Sequence, residues 1–175
     1  MLTDHVRDLA ATAAVFGFFA SVWFGWAQEH PPRSWRPVLI AGSVASILAA
    51  VAGGLVTWRD WSAGTALDEP TSIRFAIVVG IEFALAGLGA GLLAWRRRSE
   101  LIPVWIALVV GVHLFPVAVL FGSPWIHVIG ALVTASALVA VPVARARSLP
   151  VSAVNGLGGG AVLLLGAVVS LAAAL

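Results

Sequence analysis

Six runs of roughly twenty apolar residues leave this chain one solvent, the hydrocarbon of a lipid bilayer. They fall near 9–27, 38–58, 72–95, 101–121, 124–143 and 151–174. Each run is continuously apolar, without the alternation of a membrane strand, and so reads as a helix. A helix also satisfies its own backbone N–H and C=O groups, which lipid does not do for it. The chain has 175 residues, 61% of them hydrophobic and only 10% charged. Soluble domains carry about a quarter charged residues. The expected fold class is therefore all-α, a six-helix transmembrane bundle forming a single domain over 1–175.

The segments between the runs carry the right punctuation. Glu29-His30-Pro31-Pro32-Arg33 closes the first helix. Asp68-Glu69-Pro70 precedes the third, where Thr71 or Ser72 is expected as the cap. Arg96-Arg97-Arg98 makes a tight turn, and Gly122-Ser123-Pro124 separates the fourth and fifth helices. Loops one, three and five hold seven arginines, against Arg7, Arg59 and Arg74 on the other side. The positive-inside rule then puts the odd loops in the cytoplasm and both termini on the outer side. Most tryptophans fall near the two expected boundaries, where amphipathic rings anchor. The opening Met1 to Asp8 mixes Arg7 with Asp4 and Asp8, unlike a signal-peptide n-region, so the first run is expected to persist as a mature helix.

Composition also excludes several function classes. All ten basic residues are arginine, which with the Ala, Val, Gly and Leu bias suggests a bacterial plasma (inner) membrane protein. The net charge is only +2 and no basic stripe appears, so nucleic acid is not an expected partner. There is no cysteine, and the four histidines do not cluster, so no metal is expected. Gly156-Leu157-Gly158-Gly159-Gly160-Ala161 lacks the strand that a dinucleotide loop needs. His113 and His127 have a haem-like offset, but a helix break lies between them. No cofactor is expected.

The strongest functional signal is Glu82, the one acid deep inside a span. A carboxyl group at mid-membrane is costly and is a functional candidate by default. His113 is its natural partner. Glu82 lies sixteen residues before Arg98, at the centre of the hairpin turn, and His113 fifteen after it. At about 1.5 Å per residue the two sit at nearly the same depth. Helix rotation decides whether they face each other, and the sequence does not give it. Both are assigned as ligand- or proton-binding residues, and as the acid and base if the protein is an enzyme. Arg74, two turns outward of Glu82, is expected to snorkel to the interface. Asn155, near the inner end of the sixth helix, is a supporting polar group that could serve a cavity or cap the helix, and His127 is another near the outer end of the fifth. Phe16, Phe19 and Trp23 recur with Trp26 at helical spacing and are candidates for the aromatic wall of an apolar or cationic pocket.

Small residues suggest how the helices pack. Gly42, Ser46, Ala50 and Gly54 form a ladder on the second helix; Gly87 and Gly91 pair on the third, Gly156 and Gly160 on the sixth. Such ladders let backbones approach, within the bundle or across a homodimer.

The stretch Gly111-Val112-His113-Leu114-Phe115-Pro116-Val117-Ala118, followed by Phe121, Pro124 and Gly130, resembles a GxHFxPLA signature. That signature is associated with small bacterial multi-pass membrane proteins of the domain-of-unknown-function type. Leu114 departs from the aromatic expected after the histidine. The resemblance implies a polytopic fold and an important His113, and no particular activity.

Three functions fit these residues. The first is a small transporter or channel-like protein that handles a proton or small solute at Glu82 and His113. The second is a membrane-embedded enzyme acting on a lipid-like or isoprenoid substrate. The third is a non-catalytic accessory subunit. The lipid bilayer, a proton or small apolar ligand, and a second copy are the expected partners.

Overall fold

The computed structural model describes residues 5–175, so Asp4 of the N-terminal reading lies outside the described residues. Six α-helices follow one another: α1 (Val6–Ala27), α2 (Arg36–Arg59), α3 (Glu69–Trp95), α4 (Ile102–Leu120), α5 (Pro124–Arg147) and α6 (Val151–Ala174). Single 3-10 turns, Arg33–Trp35 and Ser99–Leu101, lead into α2 and α4. All six helices are long and apolar enough to cross a membrane.

Four helices carry proline at their first or second position, α2 to α5, where the missing N–H has no intrahelical partner to lose. One boundary differs from expectation. The cap of α3 is Asp68, whose carboxylate accepts from the Thr71 amide at 2.9 Å; neither Thr71 nor Ser72 caps the helix. Pro70 fits inside the first turn, so the helix starts earlier than its apolar run. Pro116 and Pro142 lie within α4 and α5 without ending them.

The helices alternate in direction. Trp26, Glu29 and His30 meet Ser99, Glu100, Pro150 and Val151 around one cavity, which gathers loops one, three and five at one arginine-rich end. At the other end Leu9, Val56 and Ala174 pack together.

α1 and α6 form the centre, and glycine makes their approach close. A Cβ at Gly156 would stand 2.5 Å from the Trp23 carbonyl oxygen, and one at Gly160 would press on the Phe24 ring. α2 joins them through the same device. A Cβ at Gly17 would meet the Ala50 amide nitrogen at 2.7 Å, and one at Gly53 the Ala14 nitrogen at 2.6 Å. The expected ladder on α2 is therefore shifted by one residue at its outer end. Gly53 makes the contact, whereas Gly54 faces open space. α5 and α4 complete the core around Ile129, Val133, Leu163 and Ala167.

α3 stands apart. It packs on α4 and makes no substantial contact with α1, α2, α5 or α6. None of its residues is fully buried. Gly87 and Gly91, expected to mediate close helix packing, have no neighbour within 4 Å of an added Cβ.

Candidate functional site

The seam between α3 and α4 is built from a regular row. Phe75, Val78, Glu82, Ala86, Gly89 and Leu93 recur every three or four residues and are the partly buried side of α3. Three rungs join the row to α4. The Phe75 and Phe121 rings meet edge to face with centroids 5.8 Å apart. Glu82 Oε2 lies 3.2 Å from His113 Nε2. The Trp105 indole lies against Gly89, where any Cβ would collide with it, and its N–H donates to the Leu85 carbonyl at 3.0 Å. Glycine at 89 thus makes room for the indole.

The helix rotation that the sequence left open turns Glu82 and His113 toward each other. Their geometry also constrains their protons. His113 Nδ1 lies 2.8 Å from the Val110 carbonyl oxygen. A carbonyl only accepts, so Nδ1 carries a hydrogen. In a neutral imidazole Nε2 is then an acceptor, and Glu82 meets it as a carboxylic acid. In the charged form an imidazolium meets a carboxylate. Both forms place one proton between Oε2 and Nε2. The side chains are 15% and 17% exposed, so the pair is covered on the α4 side but not sealed.

The other sequence candidates separate. Arg74 is exposed and makes no ion pair with Glu82. The His127 ring meets the Phe115 ring edge to face at 5.8 Å, which ties α5 to α4 next to the seam. Asn155 is fully buried, and its amide nitrogen and oxygen have no hydrogen-bond partner. It lies inside α6, beyond the first turn, and does not cap the helix. Phe16 and Trp23 enter the core, while Phe19 is 41% exposed and turns outward beside Phe18. Three prominent cavities lie elsewhere, and none is lined by Glu82, His113, Phe16, Phe19 or Trp23.

Two participants were not singled out from the sequence. Trp105, one of the tryptophans near an expected membrane boundary, also bonds α3. Asp8 is 2% exposed: its carboxylate accepts from the Thr65 hydroxyl and the Ala66 amide, both at 2.7 Å. It clamps the loop that leads into α3. Its neighbour Arg7 donates to the Trp61 carbonyl at 3.0 Å and stacks over that indole at 4.2 Å. An acid in the first turn of a helix was a visible signal, since the helix dipole favours it there. Its partner, fifty-seven residues away, was not.

Comparison with protein families, with curated proteins and with solved structures found no match to this chain.

Proposed function

We propose that this protein is a small transporter or channel-like protein of a bacterial inner membrane, carrying a proton or a proton-coupled small solute. Glu82 and His113 are its binding pair. The observation that supports this reading is the 3.2 Å contact between the two, with Nδ1 already committed to Val110. The pair holds one proton at no net charge, which is the state that hydrocarbon tolerates. Release to either side needs the carboxyl group to part from the imidazole. α3 is the helix suited to that motion, because it is held by a single neighbour. A second copy lying along α3 would enclose the pair from the uncovered side, so the working unit is proposed to be a homodimer. The enzyme reading has less support, since the three prominent cavities all lie away from the pair.

The test is dissipation of an imposed pH gradient by proteoliposomes, followed with an entrapped pH-sensitive dye. Wild-type protein should collapse the gradient at least tenfold faster than Glu82→Gln. The amide still bonds to His113 Nε2 but has no proton to release. Arg74→Gln should behave as wild type. Equal rates for wild type and Glu82→Gln would end the proposal.

A further inference from the structure

An apolar groove runs between α2 and α6, on the opposite side of the bundle from α3. Its walls are Ala41, Gly42 and Ala45 of α2 and Leu157, Ala161 and Leu165 of α6, and Phe24 of α1 forms its floor. The groove is a shallow, open depression of about 610 Å³. Its shape follows from residue size. Ala41, Gly42 and Ala45 on α2 and Ala161 on α6 are small and leave a depression between the two helices. The floor is fixed, because a Cβ at Gly42 would stand 2.6 Å from the Phe24 ring.

At the arginine-rich end the groove opens into a smaller recess of about 180 Å³. The two share Val38 and Leu157, and the recess adds Ser34 and Trp35. Arg33 and Arg36 flank that dipeptide in the chain and both are exposed. Neither forms an ion pair; among the described residues the one arginine that does is Arg59, with Asp60.

We propose that this groove holds one molecule of an anionic glycerophospholipid, with an acyl chain along Phe24 and the phosphate between Arg33 and Arg36. Three observations lead there. The groove is lined almost wholly by apolar groups, which suits a chain of methylenes and no polar solute. The recess at its mouth is lined by the Ser34 and Trp35 side chains, and the exposed, unpaired Arg33 and Arg36 adjoin these two residues in the chain. Basic pockets between helices at such an end recognise anionic headgroups. Its length decides between a lipid and a second copy of this chain. From Leu157 to Val168 the groove runs about 16 Å along α6. That is close to one leaflet, half of the roughly 30 Å hydrocarbon core. A lipid anchored at the arginine-rich end would fill a groove of this half-span length, whereas a partner helix would run on past its end.

Native mass spectrometry of full-length protein, released from micelles doped equally with phosphatidylglycerol and phosphatidylcholine, tests the proposal. Wild-type protein should retain one phosphatidylglycerol per chain. Each guanidinium near an anionic headgroup is worth about fivefold in affinity. Arg33→Gln with Arg36→Gln should therefore cut the preference for phosphatidylglycerol at least tenfold. Ala161→Phe fills the groove from an exposed position and should abolish retention of both lipids, with an unchanged helical circular dichroism spectrum. Leu88→Phe, on the exposed side of α3, controls for added bulk and should retain the lipid. Equal retention of the two lipids by wild-type protein overturns the proposal. So does unchanged retention in Ala161→Phe. A dimer that Ala161→Phe dissociates also overturns it, because a second copy would then occupy the groove.

Discussion

α6 and α3 are equally apolar and of similar length, yet they meet the rest of the protein in different ways. α6 buries ten residues against α1, α5, α4 and α2. α3 buries none and packs substantially on α4 alone among the helices. Both carry glycines. Those of α6 at 156 and 160 admit another helix to contact, while those of α3 at 80, 87 and 91 face nothing. Hydropathy states that a helix is immersed in lipid; it does not state which helices it touches. Lipid tails are as apolar as leucine, so membrane helices associate by close packing and by scattered hydrogen bonds. α6 uses the first means. α3 relies on three rungs, two of them polar, and on a loop held by Asp8. The candidate site is built on the helix that the protein holds least firmly, as expected of elements that move.

The largest expected effect breaks the α6 side of this contrast. Gly156→Leu drives a side chain into the Trp23 carbonyl and the Ala27 backbone, which are not free to yield. Overpacking of this kind costs about 3 kcal/mol. The melting temperature in detergent should fall steeply. Gly87→Leu and Gly91→Leu should leave it close to wild type, because their added atoms enter open space. If Gly87→Leu leaves the melting temperature alone but lowers the oligomeric mass in light scattering, the open face of α3 is where a second copy binds.

Asp8 comes next. Asp8→Ala removes two hydrogen bonds to a buried carboxylate and releases the Thr65–Ala66 segment ahead of α3. A loss of about 2 kcal/mol follows for a buried charge-assisted pair. The sharper readout is local. Hydrogen exchange should rise at Ala66 and Leu67 and not along α6. Uniform acceleration across all helices would show that Asp8 supports the whole bundle and not the tether of α3.

How much of this was legible follows from the same contrast. The six spans were readable because each is an uninterrupted apolar run bounded by proline, glycine or arginine. The depth match of Glu82 and His113 was readable because a tight hairpin fixes it by arithmetic. Their mutual facing was not, since one more or one fewer residue in the turn at 96–98 would rotate Glu82 by about 100°. The isolation of α3 was not legible either. Gly87 and Gly91 have the spacing of Gly156 and Gly160, and only a neighbour in space tells a contact glycine from an idle one. Asp8 escaped notice because its partner is remote in sequence. Asn155 was read as a group serving a cavity or a cap, and its full burial without a partner follows from packing that no local pattern encodes.

The polar rungs of α3 give a smaller effect on stability than on function. Glu82→Leu removes one hydrogen bond between membrane helices, which is worth about 0.6 kcal/mol on average. The melting temperature should move slightly, and less than in Gly156→Leu. Trp105→Phe removes the bond to Leu85 and should cost a similar amount. A large destabilisation by Glu82→Leu would mean that the pair serves mainly to hold α3 in place, which is the structural alternative to a proton site.

The smallest effect lies at the start of α3, outside the membrane. Hydrogen bonds from the Thr71 hydroxyl and amide hold the Asp68 carboxyl below the ordinary aspartate range. A depressed value in the folded state means that folding favours the carboxylate. Its stabilisation is then complete above the unfolded value of about 3.9 and fades as pH falls through the lower folded one. Asp68→Asn keeps an amide oxygen able to cap the helix but cannot titrate. Below about pH 4 the stability curves of wild type and Asp68→Asn should converge, with wild type losing its small advantage. The first amides of α3 should report this most clearly by hydrogen exchange, since that helix has the fewest other contacts to mask a weakened cap. Parallel curves through this range would assign the start of α3 to Pro70 and the loop behind it, and leave Asp68 without a part in holding α3.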